Sequence, residues 1–227
     1  MQAGNVSYNS LDDLPEVVPV FPLGGSLLLP DANMPLNIFE PRYLAMIDDA
    51  MRGHRLIGII QPRWDVAAQD NGGADADAPP VVSVGCLGRI TGFQEAGDGR
   101  YLVNLAGVCR FRQTHELPQK NGYRLFRIAP FVEDLAEGSA EGVNREALLA
   151  AFKSFLEANG MEADWESVSK TPTDVLVNML SMMSPYGPAE KQALLEAADL
   201  KTRAETLVAI TEMSLMREGG DTPQTLQ

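Results

Sequence analysis

A chain of 227 residues, 45% hydrophobic and 22% charged, carries enough apolar material for one or two domains with a sizeable core, which excludes disorder throughout. Its formal charge is −13, with 11 Lys and Arg against 14 Asp and Glu in residues 1–130 and 7 against 17 in residues 131–227. So acidic a protein is a poor partner for nucleic acid or an anionic membrane, both of which are held by clustered cations. No apolar run approaches the roughly 18 residues of a membrane span, and residues 1–14 lack both a basic start and an apolar signal core, so the expected compartment is the cytoplasm.

Residues 1–14 read as a flexible tail. Val17-Val18-Pro19-Val20-Phe21 is β-branched and aromatic, a short strand that Pro19 confines to an edge or bulge and that residues 22–25 end. After Leu27-Leu28-Leu29 comes a turn at Pro30-Asp31-Ala32-Asn33, and Leu36 and Ile38 alternate with Asn37 as a second strand requires. A helix follows, with Glu40 at the positive end of its dipole, Pro41 in the first turn, and Leu44, Ile47 and Met51 at helical spacing before Gly53. Leu56-Ile57-Gly58-Ile59-Ile60 is a buried strand, and residues 65–80, rich in Ala, Asp, Gly and Pro, form a mobile loop. Further strands are expected over 81–93, 100–106, 108–116 and 123–132, the first two joined by a turn at Gly97-Asp98-Gly99. In the third of these Arg110 and Arg112 share one face and Cys109 and Phe111 the other.

The hydrophobic period then changes from two to about 3.6. Asn144 caps a helix with Leu148, Leu149, Phe152, Phe155 and Leu156 on one face, ending at Asn159-Gly160. Thr171-Pro172 opens a second, carrying Val175, Leu176, Met179, Leu180 and Met183, and residues 185–188 break it before a short third around Leu194 and Leu195. Asp199 caps a fourth, with Leu200, Ala204, Leu207, Val208 and Leu215, and the chain frays after Gly219-Gly220. Strands followed by helices, segregated, make an α+β chain, with domains expected at 15–132 and 133–216 between flexible ends at 1–14 and 217–227.

The opening VPVFPLGGSLLLPDANMPLNIFEPRYLAM at 18–46 resembles the start of the Lon-protease N-terminal, substrate-recognition domain family, with its P-x-FPL run, proline turn and IFEPRY-like motif. The resemblance continues through Val84-Gly85-Cys86-Leu87-Gly88-Arg89-Ile90, Gly99-Arg100-Tyr101-Leu102-Val103, Gly107-Val108-Cys109-Arg110-Phe111-Arg112 and Glu190-Lys191-Gln192-Ala193-Leu194-Leu195-Glu196, and so spans roughly 15–216. Departures are Cys86, where the family more often carries threonine, and an acidic insert at 70–78. The resemblance implies a PUA-like β pseudo-barrel followed by a helical bundle subdomain. A complete ATP-dependent Lon protease also needs a G-x-x-x-x-G-K-[ST] loop and a serine-lysine pair. Neither occurs here, so the chain resembles a free-standing recognition domain that neither hydrolyses ATP nor cuts peptides.

No G-x-S-x-G or H-E-x-x-H motif offers other catalysis, and His54, His115, Cys86 and Cys109 are scattered without metal-ligand spacing, so neither metal nor cofactor is expected. The two cysteines are expected reduced and packed; only if the strands flanking Gly97-Asp98-Gly99 pair as a hairpin could their sulfurs come near each other, and the sequence leaves that open. Glu40, Arg42 and Tyr43 crowd acid, base and phenol together, a grouping that more often fixes a helix start than performs chemistry. Methionines 179, 182 and 183 cannot all point inward from one helix, so at least one is expected exposed near Pro185. By resemblance the chain binds unfolded or degron-bearing polypeptides, or an adaptor protein, through apolar surface, for which the candidates are Phe21, Leu23, Leu29, Met179, Met182, Met183 and Tyr186. Alternatives are a peptidase-associated hydrolase, and RNA binding by the strip Arg110, Arg112, Arg124 and Arg127, which the net charge opposes.

Overall fold

The computed structural model describes residues 1–65, 79–136 and 138–220, the last three as backbone only; the expected loop at 65–80 and end at 217–227 lie largely outside these. At the N-terminus, β1 (Gln2–Ala3) and β2 (Val6–Ser7) pair antiparallel, with Gly4 at φ +58° in the turn. This is an ordered hairpin where a flexible tail was expected: Ala3 and Tyr8 are buried in the barrel core and the Tyr8 hydroxyl accepts from Arg89. Two anchoring residues among eight make no readable pattern, which is why composition reads this stretch as a tail.

Strands β3 (Val17–Pro22), β4 (Asn33–Ile38), β5 (Leu56–Ile60), β6 (Val84–Glu95), β7 (Tyr101–Lys120) and β8 (Tyr123–Pro130) form one sheet in the order β4-β7-β6-β5-β3-β8. An additional β7–β8 pairing closes five of them into a barrel and leaves β4 attached to β7 alone. The strands expected at 100–106 and 108–116 are one 20-residue strand, because Gly107 stays extended. There the Leu87↔Cys109 and Gly88↔Gly107 pairs leave Val108 as the extra residue of a bulge. A Cβ on Gly107 would stand 2.0 Å from the Leu29 carbonyl oxygen, so only glycine lets the two backbones meet.

Alternation fills the barrel. Val18, Val20, Leu56, Ile60, Leu87, Cys109, Phe111, Phe126 and Ile128 form one buried cluster. Gly58 and Gly85 give the Phe111 ring its space, since a Cβ on either would lie 2.8 or 2.7 Å from its Cζ. Because Leu87 pairs with Cys109 while Cys86 pairs with Arg110, the two thiols project to opposite faces of the sheet, both buried and with no disulfide between them. Burial pushes the Cys109 thiol up to about 12.

Helix α1 (Pro41–Arg52) covers one side of the strands, burying Tyr43, Met46, Ile47 and Ala50. The later helices are α2 (Arg145–Ala158), α3 (Trp165–Lys170), α4 (Thr173–Met183), α5 (Pro188–Glu196) and α6 (Leu200–Gly220). The molecule divides into two compact units, Met1–Glu137 with Pro185–Leu195, and Gly138–Ser184 with Glu196–Gln227. That division differs from the expected 133–216 subdomain, for α5 lies with the barrel. Gln192 Nε2 donates to the Val84 carbonyl at 3.0 Å, Gln61 Nε2 to the Pro188 carbonyl at 2.9 Å, and Arg110 Nη1 to the Leu195 carbonyl at 3.3 Å. Leu194 and Leu195 mark the helix in the sequence, but the polar ties that place it with the barrel follow no apolar period. In the second unit α2 and α4 pack on α6, burying Leu148, Phe155, Leu176, Val177, Leu180, Ala204 and Leu207. Helix α3, absent from the sequence expectation, is only 6 residues long; the Asp164 carboxylate caps it and its Trp165 meets Phe152 edge-on at 6.2 Å.

Candidate functional site

In the first unit an open groove of about 560 Å³ runs along β4. One wall is the end of β3 and its turn, Phe21, Pro22 and Leu23; the other is Met34 to Asn37 of β4; the start of α1 closes one end with Phe39, Glu40, Arg42 and Tyr43. Local sequence explains the placement. Alternation turns Ile38 inward at 2% exposure and therefore Phe39 outward at 64%, just before Pro41 begins the helix. Tyr43 then falls on the inner face of α1, its ring 4.3 Å from that of Phe21, and burial raises its hydroxyl above the ordinary value.

Charge in the groove is spent internally. Arg42 Nε donates to Glu40 Oε2 at 3.0 Å, its Nη2 lies 2.8 Å from the same oxygen, and the guanidinium rests 4.8 Å over the Tyr43 ring. The Glu40 carbonyl also accepts the Tyr43 amide, so the trio fixes the start of α1. What remains facing the groove is aromatic and aliphatic surface with neutral polar edges such as Ser26 and Asn37, an arrangement fit for holding a ligand.

The seven candidate binding residues are divided between the two units, and not all of them reach the surface. Phe21 and Leu23 line the groove. Leu29 does not: it is 0% exposed, in the core against Gly107, and offers no surface. Its apolar run reads the same whether it faces a partner or the interior. Met179, Met182 and Met183 belong to α4 in the second unit, where Val175, Met179 and Met183, four residues apart, are 48%, 37% and 75% exposed and form a stripe. Tyr186 is half-buried and lies in the first unit, just before α5. The candidates missed Met34, Leu36, Phe39 and Tyr43. The signal for Phe39 was available, in the parity that puts it opposite Ile38.

The arginine strip is mostly neutralised. Arg110 is 3% exposed and pairs with Asp134, Nη2 to Oδ1 at 2.7 Å and Nε to Oδ2 at 2.8 Å; Arg124 forks onto Glu116 at 2.7 and 2.8 Å; Arg127 pairs with Glu16. Among the described residues no group of three or more His, Cys, Asp or Glu is placed to hold a metal ion, and no helix is long and apolar enough to cross a membrane.

This α+β architecture of a strand region followed by helices is that of Lon N-terminal domains. The crystal structure of a Lon N-terminal domain protein from Xanthomonas campestris matches with a TM-score of 0.59 at 24% identity, over 85% of this chain and 97% of that one. The N-terminal domain of Mycobacterium avium complex Lon protease gives 0.57 at 17%, over 86% and 98%. The family model of the ATP-dependent protease La (LON) substrate-binding domain matches residues 17–212, and the chain belongs to that family. It is 28% identical over 204 residues to Lon protease 2 of Myxococcus xanthus, 88% of this chain and 24% of that protein, and 27% identical over 203 residues to Lon protease of Anaeromyxobacter dehalogenans, 88% and 23%. The chain thus spans about a quarter of the length of the curated relatives it matches.

Proposed function

We propose that this chain is a non-catalytic recognition module that binds unfolded or degron-bearing polypeptides through the groove along β4. The observation that carries the reading is the groove's surface: apolar side chains from three elements, with Phe39 at 64% exposure and the one charged pair, Glu40–Arg42, closed on itself. A folded protein gives up little by exposing such a surface if its partner also exposes apolar groups, and unfolded chains do. Selection is then by conformation and apolar content, not by a single charge. The exposed α4 stripe is a second apolar surface suited to the same class of ligand. The cytoplasm, where unfolded chains need sorting, is the compartment this role fits.

The test is fluorescence anisotropy with a labelled, reduced and carboxymethylated protein that stays unfolded, beside its native form. Saturable binding of the unfolded form alone is expected, weakened at least fivefold in Phe39→Ser without a change in that variant's urea midpoint. Equal binding of both forms, or full affinity in Phe39→Ser, defeats the assignment to the groove.

A further inference from the structure

We infer that the groove takes its polypeptide as an added β-strand on the open edge of β4, an inference that rests on the groove reading above and names the manner of binding. Four observations lead there. First, β4 has a strand partner on one side only: it pairs with β7 from Asn33↔Ala106 to Ile38↔Tyr101, and no other strand of the described residues lies beyond it. Second, the direction of its free backbone groups follows from the ladder. The Gly107 N–H donates to the Ala32 carbonyl at 2.8 Å, so the carbonyl of residue 32 turns toward β7, while its N–H closes the preceding turn onto the Leu29 carbonyl. With a period of two, Met34, Leu36 and Ile38 do the same, and Asn33, Pro35 and Asn37 turn theirs outward to the groove side. Two N–H donors, of Asn33 and Asn37, and three carbonyl acceptors, of Asn33, Pro35 and Asn37, are thereby offered.

Third, Pro35 agrees with this parity, since a proline in a strand puts its missing N–H on the edge side. Fourth, the edge is unguarded by charge. Exposed edge strands are ordinarily blunted by lysine or inward-pointing charges, whereas β4 reads Asn-Met-Pro-Leu-Asn-Ile, with no ionisable side chain. Backbone groups in that arrangement are complementary to one kind of partner, an extended polypeptide.

The geometry also states the partner's pattern. An incoming strand has side chains alternating between two faces. Those on the face shared with Met34, Leu36 and Ile38 lie toward Phe21, Leu23 and Tyr43 and are apolar; those on the face shared with Asn33, Pro35 and Asn37 meet water except beside the exposed Phe39, which has the same parity. Six residues of β4 at about 3.3 Å each accommodate a segment of about six residues. Apolar-polar alternation of that length is common in unfolded chains and hidden in folded ones.

The test uses the full chain and a fluorescein-labelled peptide of five Val-Thr repeats between lysine pairs, with two analogues N-methylated at every Val or at every Thr. Each analogue keeps the side chains and blocks one edge of the peptide backbone. Binding of the parent is expected, with one analogue at least tenfold weaker and the other within twofold, and with the Asn33 and Asn37 amides of the protein exchanging hydrogen at least tenfold more slowly in the complex. Equal affinity of all three peptides, or unchanged exchange at both amides, overturns edge pairing while the effect of Phe39→Ser on the unfolded protein leaves the groove reading standing. Loss of both the peptides and the unfolded protein removes the two together.

Discussion

The barrel unit and the helical unit bury polar groups by opposite means. In the barrel, Arg110, 3% exposed, is closed off by Asp134, 24 residues away, and by the Leu195 carbonyl, 85 residues away, with Phe131 stacked at 5.1 Å from the guanidinium. In the helical unit the buried Arg203 meets the neutral Asn178 amide oxygen at 3.1 Å, and helix ends are closed by residues two or three positions off, Asn144 on Ala147 and Asp164 on Glu166 and Ser167. Both buried arginines reach a partner far along the chain, 24 residues off in the barrel and 25 in the helical unit, but the barrel answers its guanidinium with a carboxylate and the helical unit with a neutral amide. Loss of the buried carboxylate in the barrel should therefore cost much, and loss of a cap at an exposed helix end little.

The sharpest way to break that contrast is Asp134→Ala, which leaves a buried guanidinium without its carboxylate; a loss of about 3–5 kcal/mol is expected in urea unfolding. Gly85→Ala comes next, because its Cβ would stand 2.5 Å from the Ile59 carbonyl oxygen and 2.7 Å from Phe111 Cζ; overpacking of this kind costs about 1–3 kcal/mol. Asn144→Ala removes one acceptor at the start of α2 and should cost about 1 kcal/mol, with fluorescence of Trp165 reporting the change. If Asn144→Ala proves as damaging as Asp134→Ala, the contrast between the units fails.

A smaller effect is expected with pH. The Ser167 hydroxyl, and then the Ser167 and Glu166 amides, hold the Asp164 carboxyl below its ordinary 3.8. A folded value below the unfolded one stabilises fully above the unfolded value and is lost as pH falls through the folded one. Asp164→Asn should therefore be slightly less stable than the parent at neutral pH and converge with it below about pH 4, giving a flatter acid limb, as urea titrations from pH 7 to pH 2 will show. Smallest of all, Met183→Ser at 75% exposure should move stability by no more than about 0.5 kcal/mol.

Much of the fold was legible because its elements declare themselves through period and punctuation. The two-residue period of β8, the proline entry to α1 and the Asn144 cap all stand in the structure where sequence puts them. The illegible parts share a cause. The hairpin of β1 and β2 packs through Ala3 and Tyr8 with Met1 and Val6 beside them, too short a run to show a period, and α5 is marked by Leu194 and Leu195 but owes its place with the barrel to Gln192 and main-chain carbonyls. For the site, sequence separates apolar from polar but not core from surface: Leu29 and Phe39 are both apolar, and only the sheet parity that buries Ile38 sends Phe39 outward. That at least one of methionines 179, 182 and 183 is exposed was legible through steric exclusion on one helix, and Met183 at 75% exposure agrees with it; the stripe that it forms with Val175 and Met179 was not read.

The placement of the two thiols has a practical side. Cys86 at 1% and Cys109 at 0% exposure project from opposite faces of the sheet, and burial holds the Cys109 proton on to about pH 12, so neither sulfur offers a reactive thiolate to a maleimide in neutral buffer. Phe39→Cys would then be the single reactive thiol on a wild-type background, a labelling handle at the mouth of the groove whose fluorophore reports occupancy directly, with no need to strip the protein of its own cysteines first.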